Sequence, residues 1–224
     1  MSVRVVIETA PKRSFASALD WPGWSRGGRT EEEALGALVA YGPRYAAVPR
    51  RAKVAFRAPA TIRGLTVVER LTGGGGTEFG VPGAAAAAED DLTSAAELKR
   101  LLALLKASWA TFAASARRAA DVELRLGPRG GGRQVPKIVE HVRDADEAYL
   151  AQLGSRAPAV AEMTPERALA TLHRSFSDTV TVRARGEPLA DPNKVRRPWS
   201  PRYAVRRSAW HALDHAWEIE DRST

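Results

Sequence analysis

The residues best suited to chemistry are histidines. The chain has four. Two of them, His211 and His215, stand one helical turn apart in Trp210-His-Ala-Leu-Asp-His-Ala-Trp217, and a third, His141, lies in Ile138-Val-Glu-His-Val-Arg-Asp-Ala-Asp146. On a helix, an i,i+4 pair projects both imidazoles from one face. Two ligands so placed, with a third from a neighbouring helix, suit a divalent transition metal, zinc or nickel being the best matched to imidazole. Three neutral imidazoles leave coordination positions open to water or a small-molecule substrate, the pattern of a catalytic rather than a structural site. A metal there polarises a bound oxygen or lowers the pKa of a bound water or thiol. Each ligating ring also needs its other N–H held by a carboxylate or carbonyl. Asp144, one turn after His141, and Glu218, one turn after His215, are the candidates, against a plainer reading of both as surface carboxylates. His173 reads as an exposed histidine, because Arg174 and Ser175 follow it. No catalytic nucleophile or general base can be named.

Bulk composition narrows the setting. The 224 residues carry a net charge of +8 and no cysteine. Disulfides, thiolate ligands and a cysteine nucleophile are therefore excluded, and any thiol chemistry must bring its thiol in a small molecule. The positive charge is scattered among acidic residues rather than gathered on one aromatic-rich face, which argues against nucleic acid as a partner. Its densest stretch, 196–207, reads first as a solvated loop and the first turns of a helix. The other reading is anion recruitment by Arg206 and Arg207, since this stretch leads into the His211/His215 segment. No apolar run is long enough to span a bilayer, and the opening Met1-Ser-Val-Arg-Val-Val-Ile-Glu reads as a strand rather than a signal peptide. A cytoplasmic protein without membrane association is expected.

The elements that must position these residues change character along the chain. Residues 1–72 read as α+β. Val3 to Thr9 is β-branched and partly alternating, Ser14 to Leu19 alternates, and Trp21 to Gly28 is turn-rich with room for a short strand near Trp24. Thr30 is a helix N-cap followed by Glu31, Glu32 and Glu33, and that helix should break near Gly42-Pro43. Leu65 to Leu71 is a last strand. Residues 73–90, rich in Gly, Pro and Ala, read as a linker. Residues 91–224 then carry helical periodicity. Ser94 and Glu97 suggest a capping box before the stripe Leu98, Leu101, Leu102, Leu105, Trp109 and Phe112. A glycine-rich loop at 127–133 precedes a second helix opening at Pro136, with Ile138, Val142, Ala145 and Tyr149 on one face. A third opens at Thr164-Pro165-Glu166 and carries Leu169, Leu172 and Phe176. A long Pro-rich loop at 186–201 leads to a fourth helix from about Tyr203 to Asp221. Four such helices form a bundle.

On the last helix, Val205, Ala209, Ala212, Ala216 and Ile219 make a small-residue stripe with His211 and His215 on its flank. Trp210, Leu213 and Trp217 make a second apolar stripe on the far side. A helix apolar on two sides needs two partners. Either the N-terminal domain or a second subunit covers the second stripe, or the helix is simply central in the bundle.

Two resemblances organise these readings. Phe15 to Leu19, the turn Asp20-Trp-Pro-Gly-Trp-Ser25 and the helix start Gly28-Arg-Thr-Glu-Glu-Glu-Ala-Leu35 resemble the HicB-like antitoxin fold over about fifty residues, implying a small module of three to four strands and a helix with an interaction role. The layout of residues 91–224 resembles the DinB-like superfamily, which includes bacillithiol transferases and mycothiol-dependent isomerases. That resemblance rests on a lone histidine in the second helix and a His-x-x-x-His pair in the last. It implies that His141, His211 and His215 are the divalent-metal ligands. The thiol-dependent isomerase branch has Glu where this chain has His211, so the chain looks more like the general DinB type. The implied activity is metal-dependent thiol transfer or hydrolysis, with a low-molecular-weight thiol as cosubstrate. The competing expectation is a non-enzymatic interaction or sensor protein, whose HicB-like module binds a protein partner or a second copy and whose metal is structural or vestigial.

Overall fold

The computed structural model describes residues 2–91, 93–127 and 132–223. The loop expected at 127–133 thus falls largely outside the described residues. The N-terminal part is built on β1 (Val3–Ala10), β2 (Arg13–Ala18), β3 (Ser25–Gly28) and β4 (Leu65–Thr72). Among the described residues these form one sheet in the order β3-β2-β1-β4, with β1–β4 parallel and the other pairs antiparallel. The parallel pair needs a crossover. It is supplied by α1 (Glu31–Ala40), α2 (Gly42–Tyr45) and α3 (Ala47–Arg51). Thr30 caps α1, its hydroxyl accepting from the Glu33 amide at 3.2 Å. The break expected at Gly42-Pro43 falls between α1 and α2, with Pro43 in the first turn of α2.

Strand β1 is buried on both faces. Val5 and Ile7 enter a core with Trp24, Ala34, Leu38 and Tyr45, while Val6 packs on the opposite face with Leu19 and Ala86. That opposite face is covered by residues 73–90. Composition suggested a flexible linker there, but the segment contains α4 (Gly75–Phe79) and a short 3-10 turn at Ala87–Glu89. The reason is the buried carboxylate of Glu8. It accepts from the Thr77 hydroxyl and from the amides of Gly83 and Ala84 at 3.1 and 2.9 Å, so the segment supplies the donors a buried carboxylate requires.

The remainder is four long helices: α5 (Ala95–Arg118), α6 (Val135–Gln152), α7 (Pro165–Ala184) and α8 (Pro201–Arg222). Ser94 caps α5, but Glu97 does not close the box; its carboxylate accepts from Arg202 at 2.5 Å instead. Leu101, Leu105 and Phe112 of α5 share a core with Ile138, Val142 and Leu150 of α6, Leu172 and Phe176 of α7, and the alanine stripe of α8. Among the described residues no helix is long and apolar enough to cross a membrane.

Helix α8 joins the two parts. Leu213 and Trp217, with Leu104 and Ala107 of α5, belong to the core under the sheet. Leu213 and Trp217 of the second apolar stripe are therefore covered by the N-terminal part of the same chain, whereas Trp210 stands beside Arg207 and His211. The turn at Gly23 explains how close the approach is. Its φ is +91°, and a Cβ there would lie 2.5 Å from Leu213 Cδ1 and 3.2 Å from the Ala209 carbonyl oxygen. Only glycine meets both demands. Around this contact Arg26 stacks between Tyr41 and Trp217 at 3.7 and 4.2 Å and reaches Asp214 at 3.2 Å.

A buried ion pair ties residues 73–90 to the same helix. Arg206, expected as an anion-binding candidate, is buried and forms two hydrogen bonds with Glu89, at 2.6 and 2.8 Å, and a third with the Ala84 carbonyl at 2.9 Å. Burial forces that pairing, because an unpaired guanidinium in a core is far costlier than a paired one. Arg206 therefore clamps the 73–90 segment to α8, and its charge is matched by Glu89 rather than by a substrate. Replacing Glu89 by Ala should cost about 3–5 kcal/mol in urea unfolding by stranding the guanidinium, whereas the double replacement Glu89→Leu/Arg206→Met should cost much less.

Candidate metal centre

Helix α6 buries Ile138 and Val142 and so turns His141 toward α8, where Ala212 and Ala216 bury their own side and leave His211 and His215 on the flank. The three rings meet. The Nε2 atom of His211 lies 3.2 Å from Nε2 of His141 and 3.1 Å from Nε2 of His215. The rings stand nearly edge to face, at interplanar angles of 71° to 86°. Ligand nitrogens about 2.0–2.1 Å from a tetrahedral cation are separated by about 3.3 Å. The observed spacing is close to that figure.

Proton bookkeeping points the same way. Nδ1 of His215 lies 2.8 Å from the Glu218 carboxylate, which also accepts from Arg222 at 2.7 Å. Burial alone would raise the Glu218 pKa, but the hydrogen bonds from His215 and Arg222 outweigh it and hold it low. An ionised carboxylate keeps the proton of His215 on Nδ1 and turns the Nε2 lone pair inward. Burial, then the neighbouring His215, pushes His211 well below its ordinary pKa, and the same two causes lower His141. His211 is buried, whereas His141 and His215 are half-buried, so the cluster lies at the edge of the helical core rather than sealed within it.

Of the supporting residues expected from sequence, Glu218 is in place and Asp144 is not. Asp144 is exposed and pairs with its neighbour Arg143 at 2.6 Å. Although Asp144 is one turn on from His141, its carboxylate lies on the solvent side of α6. Arg207 does stand at the site, beside Tyr149 and Trp210, its guanidinium carbon 5.4 and 4.7 Å from their ring centres. Tyr149 in turn lies against His211, with ring centres 5.8 Å apart. Burial, opposed by Arg207, pushes the Tyr149 phenol up to about 12, so it is a hydrogen-bond donor rather than a base. Three buried donor-capable atoms on this face, Arg207 Nη1, Trp210 Nε1 and His211 Nδ1, have no hydrogen-bond partner among the described residues. The spacing of Arg207, Trp210 and His211, three and four residues apart, is the sequence signal for this cluster, and reading Trp210 only as an apolar residue hid it.

His173 is also corrected. It is not exposed: Nε2 lies 2.9 Å from buried Asp146, and the ring stacks on Trp109 at 3.9 Å. Its register could have shown this, since it falls between Leu169 and Phe176 on the core-facing stripe of α7. It does not join the other three histidines in the metal-type cluster.

Neither a family model, nor a curated protein, nor a solved structure matches this chain.

The lowered pKa values carry a stability consequence. On unfolding, His141 and His211 return to an ordinary pKa of about 6.5, so below that pH the unfolded chain binds more protons than the folded one. Stability of the metal-free protein should be full above about pH 6.5 and fall as the pH drops toward the folded values. Urea midpoints measured across that range should show the loss, and His211→Gln should flatten it.

Proposed function

We propose that the chain is a metal-dependent enzyme acting on a small anionic substrate, of the thiol-transfer or hydrolase type, and that its helical part is a DinB-like bundle. The observation that carries this reading is the convergence of three imidazole Nε2 atoms, with one ring fixed by Glu218 and further donors left unmatched beside them.

His141, His211 and His215 would hold a divalent cation, zinc or nickel by ligand type. Such a cation supplies Lewis acidity to a substrate oxygen or sulfur. The rest falls to the chain's own groups. Glu218 fixes the tautomer of His215, and Arg222 holds Glu218. With Nε2 given to the cluster, His211 must carry its hydrogen on Nδ1, where it has no acceptor. Arg207 and Trp210 add two more donor groups without acceptors, and Tyr149 keeps its phenolic proton. A group of donors wanting an acceptor suits an anion, such as a carboxylate or thiolate, and orients it by hydrogen bonds worth more in a partly dry site than in water. Because the chain has no cysteine, the thiol of a transfer reaction would enter as a cosubstrate. A purely structural metal, one form of the non-enzymatic alternative, would call for a closed set of four ligands, and the cluster offers three imidazoles.

The test is metal binding followed by turnover. Titration of chelator-treated protein with Zn²⁺ or Ni²⁺ should give one ion per chain. His211→Ala should abolish stoichiometric binding, and Glu218→Gln should weaken it by about 10–100-fold. Stoichiometric metal retained by His211→Ala would sink the site. The loaded wild type should accelerate thiol conjugation or ester hydrolysis, and Arg207→Gln should lower that rate without releasing the metal.

A further inference from the structure

Away from the three-histidine cluster, each of the four long helices gives one residue to a closed polar ring. Trp109 of α5 donates its indole N–H to the Ser208 hydroxyl of α8 at 3.0 Å, and that hydroxyl donates to Asp146 of α6 at 3.1 Å. The other carboxylate oxygen of Asp146 meets His173 Nε2 of α7 at 2.9 Å, and the His173 ring lies flat on Trp109 at 3.9 Å and 1°. Ser208 and Asp146 are sealed, at 0% and 2% exposure. Trp109 and His173 also line a cavity of about 750 Å³ bounded by α5, α7 and the first turns of α6. That volume lies within the range of small-molecule sites, roughly 300–1,000 Å³.

Chemistry fixes the direction of each hydrogen bond in the ring. An indole nitrogen only donates, and an ionised carboxylate only accepts. Ser208 therefore accepts from Trp109 and passes its own hydrogen to Asp146, and His173 Nε2 carries a hydrogen to meet the other carboxylate oxygen. In the neutral ring Nδ1 is then an acceptor. Among the described residues that atom has no hydrogen-bond partner, and it is not among the sealed side-chain atoms, so it is the polar contact His173 can offer a ligand. Phe112, Val139 and Leu169 make the cavity walls apolar. Lys106 and Arg174 line it alongside Glu166 and Asp178, and charges of mixed sign select neither an anion nor a cation. An apolar chamber with an oriented acceptor suits an uncharged ligand that has a hydrogen to give.

We propose that this cavity is a second small-molecule site, separate from the three-histidine cluster, and that it takes an uncharged hydroxylated ligand with an apolar body, such as an alkylated phenol. The ligand hydroxyl donates to Nδ1 of His173. The body lies against Phe112, Val139 and Leu169. Asp146 is a positioning residue: by keeping the ring hydrogen on Nε2 it leaves Nδ1 an acceptor, and so selects a ligand that donates over one that only accepts.

Thymol is a suitable probe, with thymol methyl ether, which has no hydrogen to donate, as its counterpart. Calorimetry on the full chain at about pH 8, above the ordinary imidazole range and below the phenol range, should show one thymol bound per chain. The ether should bind about three- to tenfold more weakly, the difference a neutral hydrogen bond makes. In NMR, the His173 Nδ1 signal should shift on thymol addition while the ring signals of His141, His211 and His215 stay in place. Ala113→Trp, which fills the cavity from a half-buried position, should abolish binding. In Asp146→Asn, Ser208 still gives its hydrogen to the side-chain oxygen, so the amide hydrogens face His173 and move the ring hydrogen to Nδ1. That variant, folded, should lose the preference for thymol over the ether, which a merely structural role for Asp146 would not bring about. His211→Ala should bind thymol as the wild type does, which separates this site from the metal reading. No thymol binding by folded wild type, equal binding of the ether, binding undiminished in Ala113→Trp, or the wild-type preference kept by folded Asp146→Asn would each overturn the proposal.

Discussion

The structure depends on α8 being buried along two opposed faces. One face is a stripe of alanines, small enough to let α8 settle deep among α5, α6 and α7. The other, Leu213 and Trp217, is pressed into the core under the sheet, where the Gly23 turn comes within contact of its backbone. A helix held from both sides has no rotational freedom left. Its remaining flank is fixed in space, and that flank carries His211 and His215 toward His141. The position of the histidines thus follows from the packing of residues that do no chemistry.

The same helix shows how this chain treats buried polarity. Three buried charges are met by partners from distant parts of the chain. Arg206 is met by Glu89 and a carbonyl, Glu8 by a hydroxyl and two amides, and Asp146 by Ser208 and His173. Arg207, Trp210 and His211 have buried atoms without partners next to the histidine cluster. Among the described residues, buried side-chain atoms without partners also occur on Arg26 and Arg222. Most buried polar groups in proteins are paired, so a local concentration of exceptions needs a reason. The reason offered by the geometry is a missing acceptor.

The four-helix ring of Trp109, Ser208, Asp146 and His173 belongs to the satisfied kind, yet it ends at a cavity wall. Its role in the fold is to tie the four helices in one register through mutually oriented hydrogen bonds. The same bonds hold the two aromatic rings that face the cavity. Fold and site share residues here, as they do on α8.

Local rules carried much of this into view before any fold was known. Thr30 and Ser94 are caps because their hydroxyls serve amides three residues on, and the helix stripes follow from 3.6-residue periodicity. The i,i+4 spacing alone set His211 and His215 side by side, and the one-turn offset alone put Glu218 within reach of His215. Composition alone removed cysteine chemistry. Tertiary structure decided whatever depended on distant partners. Asp144 and Glu218 have the same offset from a histidine, yet only Glu218 lies on the inner side. Arg206 and Arg207 are neighbours in sequence, but one faces Glu89 and the other Tyr149. His173, flanked by polar residues, is half-buried because α6 brings Asp146 to it. Residues 73–90 are ordered because Glu8 and Arg206, far off in the chain, need what they supply. Periodicity assigns a residue to a face; only packing determines what that face meets.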